Sequence, residues 1–120
     1  MDPSQSAVLV YITAGSLKEA RRIGRHLVER RLAGCANVVP EVHSTYWWEG
    51  KLCEETEALL LVKTLRAAIP ALMRAVRAVH SDAVPAISVI ELQDVNPAYL
   101  DWLKAEVAVP GAAGGGPTPT

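Results

Sequence analysis

Residues 32–64 have the sequence LAGCANVVPEVHSTYWWEGKLCEETEALLLVKT, and this stretch decides the fold. The segment 35–48 is rich in β-branched and aromatic residues, which predicts extended chain with an interruption at Pro40. A tight turn follows at 49–51, where glycine can take a positive φ angle, and the segment 52–64 returns as a second strand. The two strands are long for so small a chain, so we expect the hairpin to overhang the rest of the molecule as a ribbon.

The residues before this hairpin predict one strand and one helix. The apolar, largely β-branched run 7–13 is typical of a strand buried on both faces. Ser16 followed three residues later by Glu19 forms a capping box that opens a helix, and Gly34 is expected to terminate it. The apolar stripe of this helix consists of Leu17, Ala20, Ile23, Leu27 and Val28.

The residues after the hairpin predict a helix, a strand and a last helix. Pro70 suits the first turn of a helix, the run 84–92 indicates a fourth strand, and Asn96-Pro97 is a cap followed by proline at the first helical position. The inward positions of the two helices are Leu72, Met73, Val76 and Val79, then Leu100, Leu103 and Val107. The order βαββαβ predicts an α+β fold, a ferredoxin-like sandwich with helices on one face of a four-stranded sheet and an extra C-terminal helix.

Length and composition predict one small folded domain. The chain has 120 residues, and we expect its folded part to span 7–108. The tail 109–120 is expected to be disordered, since beyond its first residue it contains only Pro, Gly, Ala and Thr. The net charge of -1 argues against a nucleic-acid or acidic-membrane partner, and no apolar run is long enough to span a bilayer. With only two cysteines, a reducing cytoplasm fits best.

Most motifs that carry chemistry are absent from the sequence. Neither a phosphate-binding loop nor G-x-G-x-x-G, C-x-x-C or H-E-x-x-H occurs. Spacing alone leaves a Cys/His catalytic pair open, although Cys35 is expected to pack inside a strand as an inert thiol.

Three residues are candidates for binding, each with a structural alternative. His80 ends the second predicted helix, where it could cap the helix dipole, bind a metal or carry a proton, and the capping role is favoured. Glu57 either belongs to a solvated edge or meets a cation. Lys63 is too far along the same strand to be that cation, roughly 20 Å away, so we expect its stem to be partly buried and its head to be paired elsewhere.

Four segments give the chain a family resemblance. They are L-A-G-C-A-N-V-V-P at 32–40, S-x-Y-x-W-x-G-K at 44–51, E-x-x-L-x-x-K-T at 57–64 and Y-L-x-W at 99–102. With these motifs the chain, from about residue 8 to residue 107, resembles the CutA divalent-cation tolerance proteins.

This resemblance implies a non-enzymatic homotrimer, similar in architecture to the PII signalling proteins, in which long hairpins extend the neighbours' sheets. It implies tolerance of, and in some members binding to, copper and other divalent ions such as zinc. The implied inter-subunit ligand pocket involves Ser44, Tyr46, Trp48, Glu57 and Lys63, unless most of these residues serve to hold the trimer together. His80 is the candidate metal ligand there, and Asp82 could act as a substitute hard ligand where the chain departs from the family. Where the family has H-P-Y-E-V-P-E, residues 80–86 have H-S-D-A-V-P-A, and the family's thiol at the end of the first strand is missing, so metal binding is expected to be weak.

Other functions are also compatible with the sequence. A PII-like sensor of a small anionic metabolite would use Lys63 and Arg66. A small enzyme would use His80 as a general base beside Asp82. A scaffold would bind another protein through the aromatic ribbon around Trp47.

Overall fold

The computed structural model describes residues 2–108, and the tail expected to be disordered, 109–120, lies outside them. The elements are β1 (Ala7–Ala14), α1 (Leu17–Glu29), β2 (Cys35–Trp48), β3 (Lys51–Leu65), α2 (Ile69–Val79), β4 (Ile87–Glu91) and α3 (Pro97–Glu106). Single 3-10 turns precede β1, at Pro3–Gln5, and α2, at Arg66–Ala68. The strands form one antiparallel sheet in the order β2-β3-β1-β4, which confirms the βαββαβ ferredoxin-like prediction.

Around β1, helices cover one face of the sheet, whereas the opposite face, which we call the open face, is covered only at one end. Alternate residues of β1 and β3, among them Val10, Ile12 and Leu60, pack against α1 and α2 in the larger core. On the opposite face, α3 covers only the end near Leu65 in a second, smaller cluster. Burial of β1 on both faces is therefore a wrong prediction for the single chain, because Tyr11 is 38% exposed on this open face.

The hairpin overhangs the domain as predicted. β1 pairs with β3 only from residue 58 onward, so residues 51–57 of β3 pair with β2 alone. We call residues 41–57 the ribbon. Its turn has two residues with positive φ, Glu49 at 50° and Gly50 at 78°, which matches the right-handed twist of the strands. Pro40 does not interrupt β2, because a bulge between Val39 and Val42 accommodates it within one continuous strand.

Three local predictions differ from the structure. α1 ends at Glu29, and Arg31 rather than Gly34 takes the left-handed conformation after it, with a φ of 63°. Leu17 and Val28 lie outside the buried stripe, 42% and 36% exposed, because they flank the helix face that meets the sheet. β4 begins at residue 87 rather than 84, since the preceding residues form a bent loop.

Gly34 is required for close packing instead of helix termination. A Cβ atom there would lie 2.5 Å from Leu103 Cδ1 and 3.3 Å from the Trp102 ring. Because glycine has a hydrogen atom in place of a Cβ, α3 can pack closely against the start of β2. The predicted starts of the later helices are confirmed, with Pro70 in the first turn of α2 and Asn96 capping α3, its Oδ1 accepting from the Ala98 N–H at 3.2 Å.

Candidate functional site

A pocket lies where the ribbon leaves the open face of the sheet, with a volume of about 720 Å³. Its walls contain three aromatic side chains and three carboxylates, and no lysine, arginine or histidine. The lining residues are Tyr11, Thr13, Ser44, Tyr46, Trp48, Glu55, Glu57, Ser81, Asp82, Ala83, Val84 and Ala86. The described residues thus form an acidic, aromatic pocket.

Strand alternation places the ribbon residues on one wall. Ser44 pairs with Glu55, and Glu57 pairs with Val42, so their side chains lie on the same side of the ribbon. Tyr46 follows two residues after Ser44 and points to that side as well. The structure therefore brings together the four ribbon residues that the family resemblance implies for the pocket, and Asp82 joins them from the loop after α2.

The phenol of Tyr46 is coupled to an acidic neighbour. The Glu55 carboxylate, placed to accept a hydrogen bond from this phenol, raises the pKa of Tyr46 to about 12, with desolvation and the charge of Glu55 acting in the same direction. Tyr46 is therefore a neutral hydrogen-bond donor at physiological pH and adds no charge to the pocket.

The imidazole of His80 is occupied on both nitrogens. Nε2 lies 2.8 Å from the Thr13 carbonyl oxygen, to which it can only donate, and Nδ1 accepts the Asp82 N–H at 2.9 Å. His80 also caps α2, since its own N–H donates to the Val76 carbonyl. These bonds assign His80 a structural role, tying the loop that carries Asp82 to the end of β1, and a metal would have to displace one of them.

Glu19 fixes the same loop from the other side. This carboxylate is only 6% exposed, and it accepts hydrogen bonds from Gly15 N at 2.9 Å, Ser81 N at 2.7 Å and Ser81 Oγ at 2.9 Å. Burial alone would raise the pKa of Glu19, but these hydrogen bonds hold it below its ordinary value. Glu19, in the first turn of α1, thus also positions the wall of the pocket.

Lys63 is not part of this pocket. It pairs with Cys35 across the strands at the other end of β3, and its Nζ lies 5.4 Å above the centre of the Tyr99 ring. Its head contacts an aromatic ring, and no carboxylate among residues 2–108 forms an ion pair with it. Arg66, the other cation of the anionic-metabolite hypothesis, is paired with Glu91 at 2.9 Å.

The donor set of the pocket does not form a ready metal centre. Nowhere in residues 2–108 do three or more His, Cys, Asp or Glu side chains lie close enough together to hold one ion. The carboxylates of Glu55, Glu57 and Asp82 share the pocket but are spread around it. Within a single chain, these carboxylates attract cations but do not form a complete coordination sphere around one ion.

Sequence reasoning missed several contributors to the pocket. Glu55 lies two residues before Glu57, and the period of two in a strand could have placed both on one wall. Tyr11 lines the pocket because β1 pairs with β3 next to the ribbon. Ser81 lines it because this residue is hydrogen-bonded to Glu19, which lies 62 residues earlier in the sequence. No local pattern in the sequence reports such contacts.

The fold and the pocket define a class of protein: a ferredoxin-like domain with an overhanging ribbon and an acidic pocket at its base. The family model of the CutA1 divalent ion tolerance protein matches residues 8–106, and the chain belongs to this family. No helix in residues 2–108 combines the length and the apolar character needed to cross a membrane.

Known relatives agree in sequence and in structure. The divalent-cation tolerance protein CutA of Thermus thermophilus is 46% identical over 96 residues, which cover 80% of this chain and 93% of the relative. A solved structure of the Cut A1 protein from Thermus thermophilus superimposes with a TM-score of 0.83 at 43% identity, covering 85% of this chain and 99% of that one. The chloroplastic CutA 1 of rice is 36% identical over 82% of this chain, but the match spans only 55% of the rice protein.

Proposed function

We propose that this chain is a non-enzymatic, cytoplasmic homotrimer that takes up divalent cations weakly at the pocket beneath its ribbon. The observation that carries the proposal is the open face of the sheet, continuous with a ribbon whose strand edges have no partner within the described chain. Trp47, Trp48 and Leu52 on the ribbon are 71%, 50% and 57% exposed. Apolar surface and strand edges of this kind favour association with further copies of the same chain.

The charge of the pocket supports a cation as the ligand. Three carboxylates surround it without a compensating lysine or arginine in its walls, which attracts positive charge and repels an anionic metabolite. Copper and zinc prefer imidazole and thiolate ligands, and the pocket offers mainly carboxylates, so these two ions would bind with low affinity. Neighbouring subunits would supply the ligands that a single chain does not bring together, as the family resemblance implies.

The absence of catalysis in the proposal rests on how the candidate groups are used. Both ring nitrogens of His80 are hydrogen-bonded to backbone groups, so His80 cannot act as a general base unless one of these bonds breaks. The cytoplasmic location is supported by the two free thiols. Cys35 and Cys53 lie about ten residues apart along the register of β3, roughly 33 Å, so they cannot bond to each other within one chain.

Native mass spectrometry with copper or zinc added tests the proposal. We expect a species near three times the chain mass, roughly 39 kDa, that takes up metal. The variant Glu57→Gln/Asp82→Asn should lose the metal and keep the assembly. The control Glu41→Gln/Glu54→Gln removes two carboxylates on the other side of the ribbon and should keep both. A monomer would overturn the assembly, and a metal-free trimer would overturn the cation site alone.

A further inference from the structure

The charges of the chain are separated between two surfaces. The α1 segment 17–31 and the α2 segment 66–79 contain nine of the chain's twelve lysines and arginines but only two of its thirteen acidic residues. One of those two, Glu19, is buried, and the other, Glu29, is paired with Arg25. The net charge of -1 is therefore the sum of a strongly basic helical layer and an acidic remainder of the chain, so it does not describe the charge of either surface.

Five of these basic residues are exposed and form no ion pair within residues 2–108. They are Lys18, Arg21, Arg30, Arg74 and Arg77. α1 and α2 contact each other and cover the same face of the sheet, so both helices contribute to one outer layer. This layer, which we call the basic face, lies on the opposite side of the sheet from the open face.

We propose that the basic face binds the phosphate backbone of double-stranded nucleic acid without reading its sequence. Four of the five free cations are arginines, whose planar guanidinium groups match phosphate oxygens with two hydrogen bonds. Neither helical segment contains tryptophan, tyrosine or phenylalanine, so the basic face lacks the large aromatic platforms on which proteins stack the unpaired bases of a single strand. A backbone contact to a duplex is the mode that this chemistry fits.

An acidic lipid surface fits the basic face less well. Helices that lie on membranes bury a broad apolar side in the lipid, whereas Leu17 and Val28 are the only exposed large hydrophobic residues on α1, and none is exposed on α2. The two lie eleven residues apart, with charged side chains between them. The basic face therefore offers charge without an apolar anchor.

Fluorescence anisotropy of a labelled 20-base-pair DNA duplex, titrated with the full chain, tests the proposal. We expect binding at 50 mM salt that weakens about 40-fold at 200 mM, as for roughly three neutralised phosphates. The variant Arg21→Glu/Arg77→Glu should weaken binding by about tenfold or more. The control Lys51→Glu/Lys104→Glu makes the same change in net charge with two exposed, unpaired lysines outside the basic face, and should weaken it much less.

Three results would overturn the proposal. The first is no change in anisotropy at 50 mM salt with the wild-type chain. The second is an equal loss in the test and control variants, both checked for folding by circular dichroism, since binding would then follow net charge and not the basic face. The third is sedimentation with phosphatidylserine vesicles in the absence of duplex binding, which would identify a membrane as the partner. None of these outcomes depends on metal uptake, so the two proposals fail independently.

Discussion

Replacing Glu19 by glutamine tests whether this carboxylate holds the pocket loop. Oε1 accepts from Gly15 N and Ser81 Oγ, whereas Oε2 accepts one hydrogen bond, from Ser81 N at 2.7 Å, and lies 3.9 Å from Nη2 of the exposed Arg22. Glutamine can keep its oxygen at the first position, but its amide group then meets the Ser81 N–H donor to donor. One backbone donor is left without a partner in a partly buried site, and two bonds lose their ionic character.

The expected loss of stability follows from that count. A buried donor left without a partner costs about 1–3 kcal/mol, and a hydrogen bond to a charged group stabilises more than a bond to a neutral group. We therefore expect Glu19→Gln to lower the free energy of unfolding by about 2 kcal/mol at neutral pH. The matched control is Glu29→Gln on the same helix. Its carboxylate is 59% exposed and pairs only with Arg25, so the control should cost less than about 0.5 kcal/mol.

The difference in the free energy of unfolding between wild type and Glu19→Gln should become smaller as the pH falls. The pKa of Glu19 is lower in the folded chain than its ordinary value of 4.5, so folding favours the ionised form. The stability that it contributes is complete above the unfolded pKa and is lost as the pH falls through the folded one. Glutamine does not titrate, so the gap between the two proteins should narrow from pH 7 to about pH 3.

Urea unfolding followed by circular dichroism, at one fixed chain concentration for all samples, measures both effects. The reasoning fails if Glu19→Gln is no more destabilising than Glu29→Gln at pH 7. It also fails if the gap keeps its size at pH 3, because the carboxylate charge would then contribute nothing.

Two further substitutions test the packing of α3 and the electrostatics of the ribbon. Gly34→Ala should destabilise the fold by about 1–3 kcal/mol in thermal unfolding, because the added methyl group would overlap Leu103. The control Gly15→Ala should be nearly neutral, because a Cβ there would lie 3.5 Å from its nearest neighbouring atom. Equal effects of the two substitutions would contradict the close approach of α3 to Gly34. Glu55→Gln should lower the pKa of Tyr46 from about 12 toward its ordinary 10 in a phenolate absorbance titration, and an unchanged value would exclude the Glu55 carboxylate as the cause.

The fold could be predicted because its signals are local and agree with one another. The turn at Glu49-Gly50 sets the hairpin register, Pro70 starts α2, and Asn96 caps α3 in the expected way. The overhang of the ribbon followed from strand lengths alone. Errors arose where tertiary packing outweighed a local preference, as at Gly34, whose missing side chain serves contact with α3 and not the end of α1.

The pocket could be predicted only in part. The four ribbon residues share a strand face, which a period of two makes visible in the sequence. The family resemblance implies Lys63 for an inter-subunit pocket with them, but within one chain it lies six residues beyond Glu57 on β3, with its Nζ over the Tyr99 ring. The role of His80 depends on the Thr13 carbonyl, 67 residues away, which no spacing in the sequence could indicate.

The two proposals constrain each other through the geometry of the sheet. The open face and the basic face lie on opposite sides of β1 and β3, since alternate residues of a strand point in opposite directions. If the open faces meet in a trimer, the three basic faces are left pointing outward, free to contact a polyanion together. Linked weak contacts then reinforce one another, so a trimer should bind a long duplex more tightly than a short one that reaches a single basic face. A chain that stayed monomeric would bind both duplexes with the same affinity per available site, so an affinity per site that rises with duplex length would show that assembly strengthens binding.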